Sequence, residues 1–217
     1  IEKLTRKILI KKATPSELFH LYENLTSIIQ LYSLIETDTF MMKHLNNSIK
    51  TFSLDIQHLL TDVLNISKCK MIGTLSFDEN FIRKGYDQNH DKIVEDSMDS
   101  VDKLEGIKVF LNNKVVPFEK NKKHNEYVKI YTTEKMGSTI VATKRRAAIL
   151  KDQIKHMTDV DIKYFSSFNN SEKIVAFDCS SVEYVQATGA NHSIVNKQIK
   201  EICNQINYSK TTMINSL

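Results

Sequence analysis

The chain has 217 residues, a formal net charge of +4, and only five Gly and two Pro. So few Gly and Pro residues disfavour loop-rich sandwiches and nucleotide-binding folds built on Gly-rich turns, and they favour long helices. No apolar run approaches the roughly eighteen residues that cross a bilayer, and the opening IEKLTRKILI is too charged for a secretory signal. We therefore expect a soluble intracellular protein with no membrane contact.

The cysteines and histidines do not form a ligand pattern. Cys69, Cys179 and Cys203 are odd in number, widely spaced and without a CxxC pair, and the seven His residues are scattered. This spacing indicates neither a disulfide framework nor a zinc site. We expect core or surface thiols, no metal ligands and no cofactor in this stretch.

The first elements have helical spacing. Apolar residues three and four positions apart predict a helix within residues 1–12. Thr14, Pro15 and Glu17 then supply a hydroxyl cap, a proline at the first helical position and an acid in the first turn. These start signals predict a second helix over about 16–36.

Two further helices are predicted before the middle of the chain. The first covers about 41–66, with a bend near 51–53. Gly85 then permits a turn, and Asp87 stands where it can cap the next long helix. Asp91 lies four residues further on, so we interpret this acidic pair as capping the helix and complementing its dipole, not as acid chemistry.

The middle of the chain has the alternation of a sheet. β-Branched residues at period two flank Met136-Gly137, a pattern typical of an antiparallel hairpin with a glycine in its turn. They are Val128, Ile130 and Thr132 before the turn, and Thr139, Val141 and Thr143 after it. Two more strands are predicted at 162–168 and 173–177, joined by Asn169-Asn170-Ser171.

Helical spacing returns on either side of the second strand pair. A short helix is predicted at 147–157, and a long final helix at 182–206, in which Gly189 is a weak position. The predicted fold is therefore mainly α: an elongated helical lever or bundle with an inserted small antiparallel β clamp, α+β overall.

The basic excess is confined to the β-containing part. Residues 107–175 hold fourteen Lys or Arg against seven Asp or Glu, whereas the remainder holds sixteen against nineteen. Such a surface suits a polyanion, because neutralising phosphates releases counterions and gives affinity without reading sequence. A solvated basic face explains the same charge distribution, and charge alone leaves both interpretations open.

Three motifs resemble the middle of the MutS family of DNA mismatch-recognition proteins. KILIKKATPSELFHLYENL looks like the family's R-x-x-P-x-D-L-x-x-L segment, with Lys12 and Glu17 in place of Arg and Asp. VKIYTTEKMGSTIVATKRR is similar to the clamp hairpin, where Gly137 matches the family's Gly-Tyr pair and Ser138 departs from it.

The motif between these two is IRKGYDQNHDKIVE, which resembles the family's GYD-x-x-LD sequence at the start of the ascending lever helix. Gly85, Tyr86, Asp87 and Asp91 match, while Asn89-His90 departs from the usual acid and Leu. The stretch after Arg146 is similar to the branch found in giant viruses. Together the motifs cover most of the chain in the order lever, clamp, lever.

The resemblance implies a division of the chain and a role for it. Residues 1–112 would be lever helices, 113–179 an antiparallel clamp, and 180–217 a returning lever helix. The clamp would bind duplex, mismatched DNA through its backbone. Two protomers, as a homodimer or with a related protomer, would close around the duplex. The lever would relay ATP-driven opening and closing from an ATPase domain outside this segment.

Two groups of residues are candidate DNA contacts. Thr143, Lys144, Arg145 and Arg146 leave the hairpin as a patch of cations with a hydroxyl, suited to phosphate oxygens. Asn169, Asn170, Ser171 and Lys173 correspond to the family's Leu-Lys-Asn-Ala tip. The alternatives are a charged first turn of an exposed helix for the first group and simple turn chemistry for the second. A further cluster, Lys120, Lys122 and Lys123, is equally compatible with a solvated loop.

Catalysis is not expected within this segment. It contains no GxxxxGK[ST] loop, no Phe-x-Glu mismatch wedge and no Ser/His/Asp or Cys/His pairing. The parent protein would be a DNA-dependent ATPase that binds ATP and Mg²⁺ elsewhere, in a nuclear, organellar or viral-factory compartment. The alternative function is a helical protein-interaction scaffold whose basic hairpin docks an acidic partner.

Overall fold

The computed structural model describes residues 2–46, 48–74, 79–119, 126–133, 137–187 and 189–215. Helices predominate there and the sheets are small and antiparallel, so the predicted mainly α class with a small β part is confirmed. The helices are α1 Glu2–Leu9, α2 Pro15–Ile35, α3 Thr39–Met42, α4 Ile49–Val63, α5 Ile66–Met71, α6 Gln88–Val115, α7 Lys144–Ile154 and α8 Lys197–Asn215. The strands are β1 Val128–Thr133, β2 Gly137–Thr143, β3 Asp159–Ser166, β4 Ser171–Asp178, β5 Glu183–Gln186 and β6 Asn191–Val195.

The chain divides into two compact units, Ile1–Asp91 and Lys92–Leu217. In the first unit, α2 packs on α4 and α5. Its start is a capping box: the backbone amide of Thr14 donates to Glu17 Oε2 at 3.0 Å, and the backbone amide of Glu17 donates to Thr14 Oγ1 at 3.3 Å. The predicted start signal is therefore confirmed, because the amides of Thr14 and Glu17 each gain a side-chain acceptor.

The first unit contains a small apolar cluster. Its buried members are Leu64, Cys69, Ile72 and Phe81. Leu64 also forms an antiparallel bridge with Ile82, which brings the end of α4 against the extended segment before α6. The backbone hydrogen bonds on either side of that bridge hold this segment to the helical core.

The turn before α6 has the predicted form. Gly85 has a φ of +94°, a conformation that favours glycine. The carboxylate of Asp87 accepts from the backbone amides of Asn89 at 2.7 Å and His90 at 3.0 Å, and Asp91 accepts from the amide of Gly85 at 2.6 Å. The predicted cap at Asp87 is confirmed, and Asp91 holds the backbone of the turn that precedes the helix.

The second unit is built on the apolar stripe of α6. Leu104, Ile107, Leu111 and Val115 are spaced three or four residues apart and are fully or almost fully buried. Gly106 lies on the same helix, at a point where β3 passes close to the helix backbone. A Cβ at Gly106 would lie 2.8 Å from the Cβ of Tyr164, so a larger residue would not fit there.

The strands of the second unit form two sheets. The four-stranded sheet has the order β1-β2-β6-β5, with every neighbouring pair antiparallel, while β3 and β4 form a separate hairpin. The side chains of Ile140 and Ile194 are buried opposite each other in the larger sheet, over Ile199 and Ile206 of α8. The two predicted hairpins are present, and they belong to different sheets.

The prediction of a single helix over 182–206 is wrong in its first half. That stretch forms the β5–β6 hairpin, and the helix begins only at Lys197. Gly189 has a φ of +65° between the two strands, so it serves a turn and does not weaken a helix. Pairing of β6 with β2 supplies ladder hydrogen bonds that override the helical spacing of the apolar residues.

The prediction of one helix over 41–66 is also wrong. The stretch contains α3, a break, α4 and the start of α5. Helix α4 is continuous through residues 51–53, and Ser53 is buried. The break falls instead among polar residues, where Asn46 accepts a hydrogen bond from the amide of Ser48 at 2.9 Å.

Candidate nucleic-acid interface

The first predicted group, Thr143–Arg146, lies where β2 passes into α7. Thr143 is the N-cap of α7, but its side chain makes no capping hydrogen bond. Lys144 and Arg145 are exposed. The amide of Lys144 donates to the carbonyl of Ala190 at 2.9 Å, which joins this corner to the turn of the β5–β6 hairpin.

One carboxylate neutralises part of this charge. Glu119 Oε1 lies 2.5 Å from Arg145 Nη2 and accepts from Arg146 Nε at 3.0 Å. The Glu119 side chain is only 7% exposed, whereas that of Arg145 is 60% exposed. Two guanidinium groups thus share one carboxylate, and the corner keeps a net positive charge through Arg145 and Lys144.

Arg146 is held more firmly than Arg145. Its guanidinium carbon lies 4.7 Å from the centroid of the Tyr127 ring, and its Nη1 donates to the Tyr127 carbonyl at 3.4 Å. Stacking on an aromatic ring combined with hydrogen bonds in the guanidinium plane suits Arg and does not suit Lys. Arg146 therefore connects the start of β1 with the first turn of α7.

A groove opens beside Arg146 on the outer face of the four-stranded sheet. Its volume is about 300 Å³. Register places Lys129 opposite Val141, Tyr131 opposite Thr139, and Thr143 opposite Asn191 along this face. The groove is lined by Tyr127, Lys129, Ile130, Tyr131, Val141, Ala142, Thr143, Arg146 and Asn191.

Buried groups on α6 fix the position of β1. Asn112 Oδ1 accepts from the backbone amides of Tyr127 at 2.7 Å and Val128 at 3.1 Å. Lys108 contacts Glu126 at 2.7 Å, and its ammonium lowers the pKa of the Glu126 carboxyl. The groove therefore lies on a strand whose first residues are bound to a buried helix.

The second predicted group lies against acids of α6. Asn169 Nδ2 donates to Glu95 Oε1 at 2.5 Å, and Lys173 Nζ donates to Asp99 Oδ1 at 3.0 Å. Asn170 has a φ of +53°, as its place in the β3–β4 turn requires, and Ser171 is exposed. The polar side chains of Asn169 and Lys173 therefore already have carboxylate partners on α6.

More acids surround the same contact. Asp99 also accepts from the Tyr164 hydroxyl at 2.9 Å and lies 2.7 Å from Lys103 Nζ. Asp102 accepts from both the amide and the hydroxyl of Ser167, at 2.7 and 2.8 Å. Carboxylates so close to the turn repel a phosphate backbone.

The structure does not bring the two predicted groups together. Asp99 lies in the N-terminal half of α6, whereas Glu119 follows the helix and the short 3-10 turn Val116–Phe118. At a rise of about 1.5 Å per residue, Asp99 and the end of α6 at Val115 are roughly 25 Å apart. Lys120, Lys122 and Lys123 lie outside the described residues.

The sequence reasoning missed several groove residues. Lys129 and Tyr131 share the outer face of β1, and the period-two alternation that predicts the strand already places them together. Asn191 had no such signal, because its stretch was assigned to a helix. Glu119 was missed as the partner of Arg145 because the contact joins residues far apart in the chain.

In the described ranges, no helix combines the length and apolarity needed to cross a membrane. Nor do three or more His, Cys, Asp or Glu side chains in those ranges cluster as metal ligands would. No protein-family model matches the chain, and no curated protein matches it.

Proposed function

We propose that this chain is the lever and clamp segment of a MutS-type DNA mismatch repair protein, and that it binds duplex DNA through the backbone. The observation that carries the proposal is the exposed cationic corner of Lys144 and Arg145 beside a polar groove on an open sheet face. Cations and hydroxyls on one surface suit phosphate oxygens and give affinity without reading sequence.

The proposal uses the first predicted group and gives less weight to the second. Asn169 and Lys173 are bound to Glu95 and Asp99, so a phosphate would have to displace carboxylates already in place. At the Thr143–Arg146 corner, by contrast, two guanidinium groups and an ammonium face one carboxylate. Duplex contact at Asn169, Asn170, Ser171 and Lys173 stays a prediction.

The lever role rests on α6. This helix has 28 residues and carries the sheet through Asn112, which accepts two amide hydrogen bonds from the start of β1. A displacement of α6 would therefore move the sheet with it. In the parent protein, an ATPase domain outside this segment would bind ATP and Mg²⁺ and drive opening and closing, with a second protomer completing the clamp.

Fluorescence anisotropy of the 217-residue chain with labelled duplexes tests the proposal. We expect weak binding that falls steeply with salt, and equal affinity for matched and singly mismatched duplexes. The double variant Lys144→Ala/Arg145→Ala should lower the slope of log affinity against log salt by roughly 1 to 2, since each phosphate contact contributes about 0.9. Lys151→Ala is the matched control, because Lys151 is an exposed cation later on α7.

Two outcomes would contradict duplex binding. One is an affinity that does not change with salt, and the other is a double variant that behaves like Lys151→Ala. If the folded chain binds no duplex but the same double variant abolishes capture of an acidic protein, the scaffold function replaces the DNA-binding one.

A further inference from the structure

The groove on the outer sheet face has features that duplex backbone binding does not require. Its volume of about 300 Å³ is at the lower end of the range for sites that enclose a small ligand. Cationic, aromatic, hydroxyl and amide side chains line it, and Val141 adds an apolar side chain on the same sheet face. Contacts to a phosphodiester backbone come from cations, hydroxyls and amides and do not need an aromatic ring.

Tyr131 supplies an aromatic platform in this groove. Its side chain is exposed, at 58%, although a phenol ring usually gains free energy from burial. Lys129 lies two residues earlier on the same strand and on the same face, roughly 7 Å away along the strand. Exposed aromatic rings beside cations are typical of surfaces that stack unpaired bases while holding their phosphates.

Arg146 supplies a fixed cation at the other side of the groove. A guanidinium has five N–H donors, and the hydrogen bonds to Glu119 and to the Tyr127 carbonyl use two of them. Stacking on Tyr127 fixes the plane in which the other donors lie. Thr143 and Asn191 are paired across β2 and β6 and add a hydroxyl and an amide.

We propose that this groove binds one unpaired nucleotide of a single nucleic-acid strand, with the base on Tyr131 and the phosphate on Arg146 and Lys129. A base inside a duplex is stacked on both faces, so only a base that has left the stack can lie on the ring. The inference rests on the proposed function in that it places a nucleic acid at the same surface. It adds that the groove prefers single-stranded nucleic acid to a duplex.

Anisotropy with a labelled fifteen-nucleotide oligo(dT) tests the inference. We expect Tyr131→Ala to weaken oligo(dT) binding by about 10-fold, in line with the loss of one stacked base, while Tyr131→Phe retains it. Lys129→Ala should weaken binding and reduce its salt dependence. Tyr208→Ala is the matched control, because Tyr208 is an exposed tyrosine on α8 that does not line the groove.

The duplex measured with the same variants separates this inference from the proposed function. Equal losses for duplex and oligo(dT) in Tyr131→Ala, or no loss for oligo(dT), would overturn the inference. If duplex binding is absent while oligo(dT) binding depends on Tyr131, the inference stands and duplex binding fails. If duplex binding is salt-dependent and Tyr131→Ala has no effect on either ligand, duplex binding stands and the inference about the groove fails.

Discussion

The guanidinium of Arg146 lies over the ring of Tyr127, 4.7 Å from its centroid. This pair joins α7 to β1 in a way that a flexible ammonium does not reproduce. We expect Arg146→Lys to lower the free energy of unfolding by about 1 kcal/mol, the usual size of a partly buried cation–π contact. Urea denaturation measures this loss of unfolding free energy. The control is Arg145→Lys, whose side chain is largely exposed; equal losses would contradict the role of Tyr127.

Glu119 competes with phosphate for the two arginines. Because its carboxylate contacts both guanidinium groups, Glu119→Gln should release charge and tighten duplex binding by roughly 2- to 10-fold at low salt. Anisotropy at several salt concentrations measures the change. Glu183→Gln removes an equal charge from the exposed edge strand β5 and serves as the control. Unchanged binding in Glu119→Gln would show that the carboxylate does not mask the arginines, and weaker binding would show that it orients them.

Gly137 permits close approach of α8 to the sheet. It has a φ of +68°, and a Cβ there would lie 2.2 Å from Nδ2 of Asn207. Gly189→Ala introduces the same backbone strain without any atom within 4 Å of the new Cβ. Because the atoms nearest this Cβ are the amide end of the exposed Asn207 side chain, we expect Gly137→Ala to cost about 0.5 to 1.5 kcal/mol more than Gly189→Ala, the cost of moving that side chain out of its preferred rotamer.

A substitution of Asn207 tests whether its side chain causes this cost. In an Asn207→Ala background, the extra cost of Gly137→Ala should largely disappear, because the two changes are coupled through one contact. Chemical denaturation of the four proteins completes the cycle. Additive costs would mean that the side chain of Asn207 does not set the limit at Gly137.

Asp99 makes the β3–β4 hairpin sensitive to acid. Burial alone would raise the pKa of this carboxyl, but hydrogen bonds from Lys103, Lys173 and Tyr164 outweigh burial and hold the pKa below its ordinary value of 3.8. A depressed pKa means that the native state resists protonation. The stability that Asp99 contributes is therefore present above pH 3.8 and is lost as the pH falls through the native pKa.

We expect Asp99→Asn to lose about 1 to 3 kcal/mol at neutral pH, as a hydrogen-bonded charged partner does. The difference from the natural chain should narrow as the pH falls below 4. Denaturation at a series of pH values measures both effects. Asp161→Asn is the control, since Asp161 is exposed on β3. A difference that stays constant down to the lowest pH would contradict the depressed pKa.

Local signals in the sequence predict much of this fold. The capping box of Thr14 and Glu17, the turn at Gly85 and the cap at Asp87 depend on residues within a few positions of one another. The hairpins β1–β2 and β3–β4 are local in the same sense. Each depends on chemistry within one short stretch of the chain.

The parts that sequence reasoning missed depend on distant partners. The apolar residues of 182–206 fit a helix, and only the pairing of Ile194 with Ile140 makes the first half of that stretch a hairpin. Gly189 was the available signal for its turn. Likewise, the basic residue Lys173 gives no sign in the sequence that Asp99 lies beside it. Charge counts locate cations but not the acids that pair with them.

The hydrogen bond from Lys144 to Ala190 closes a long excursion of the chain between β2 and β6. The two strands cannot align until the entire intervening stretch has looped back, and this loop closure costs conformational entropy. The short-range hairpins incur little of that cost, so they should form early and the β2–β6 seam late. Until β2 and β6 pair, the edge of β2 is unpaired and can pair with a strand of another molecule. We therefore expect this chain to aggregate when it refolds slowly at high protein concentration.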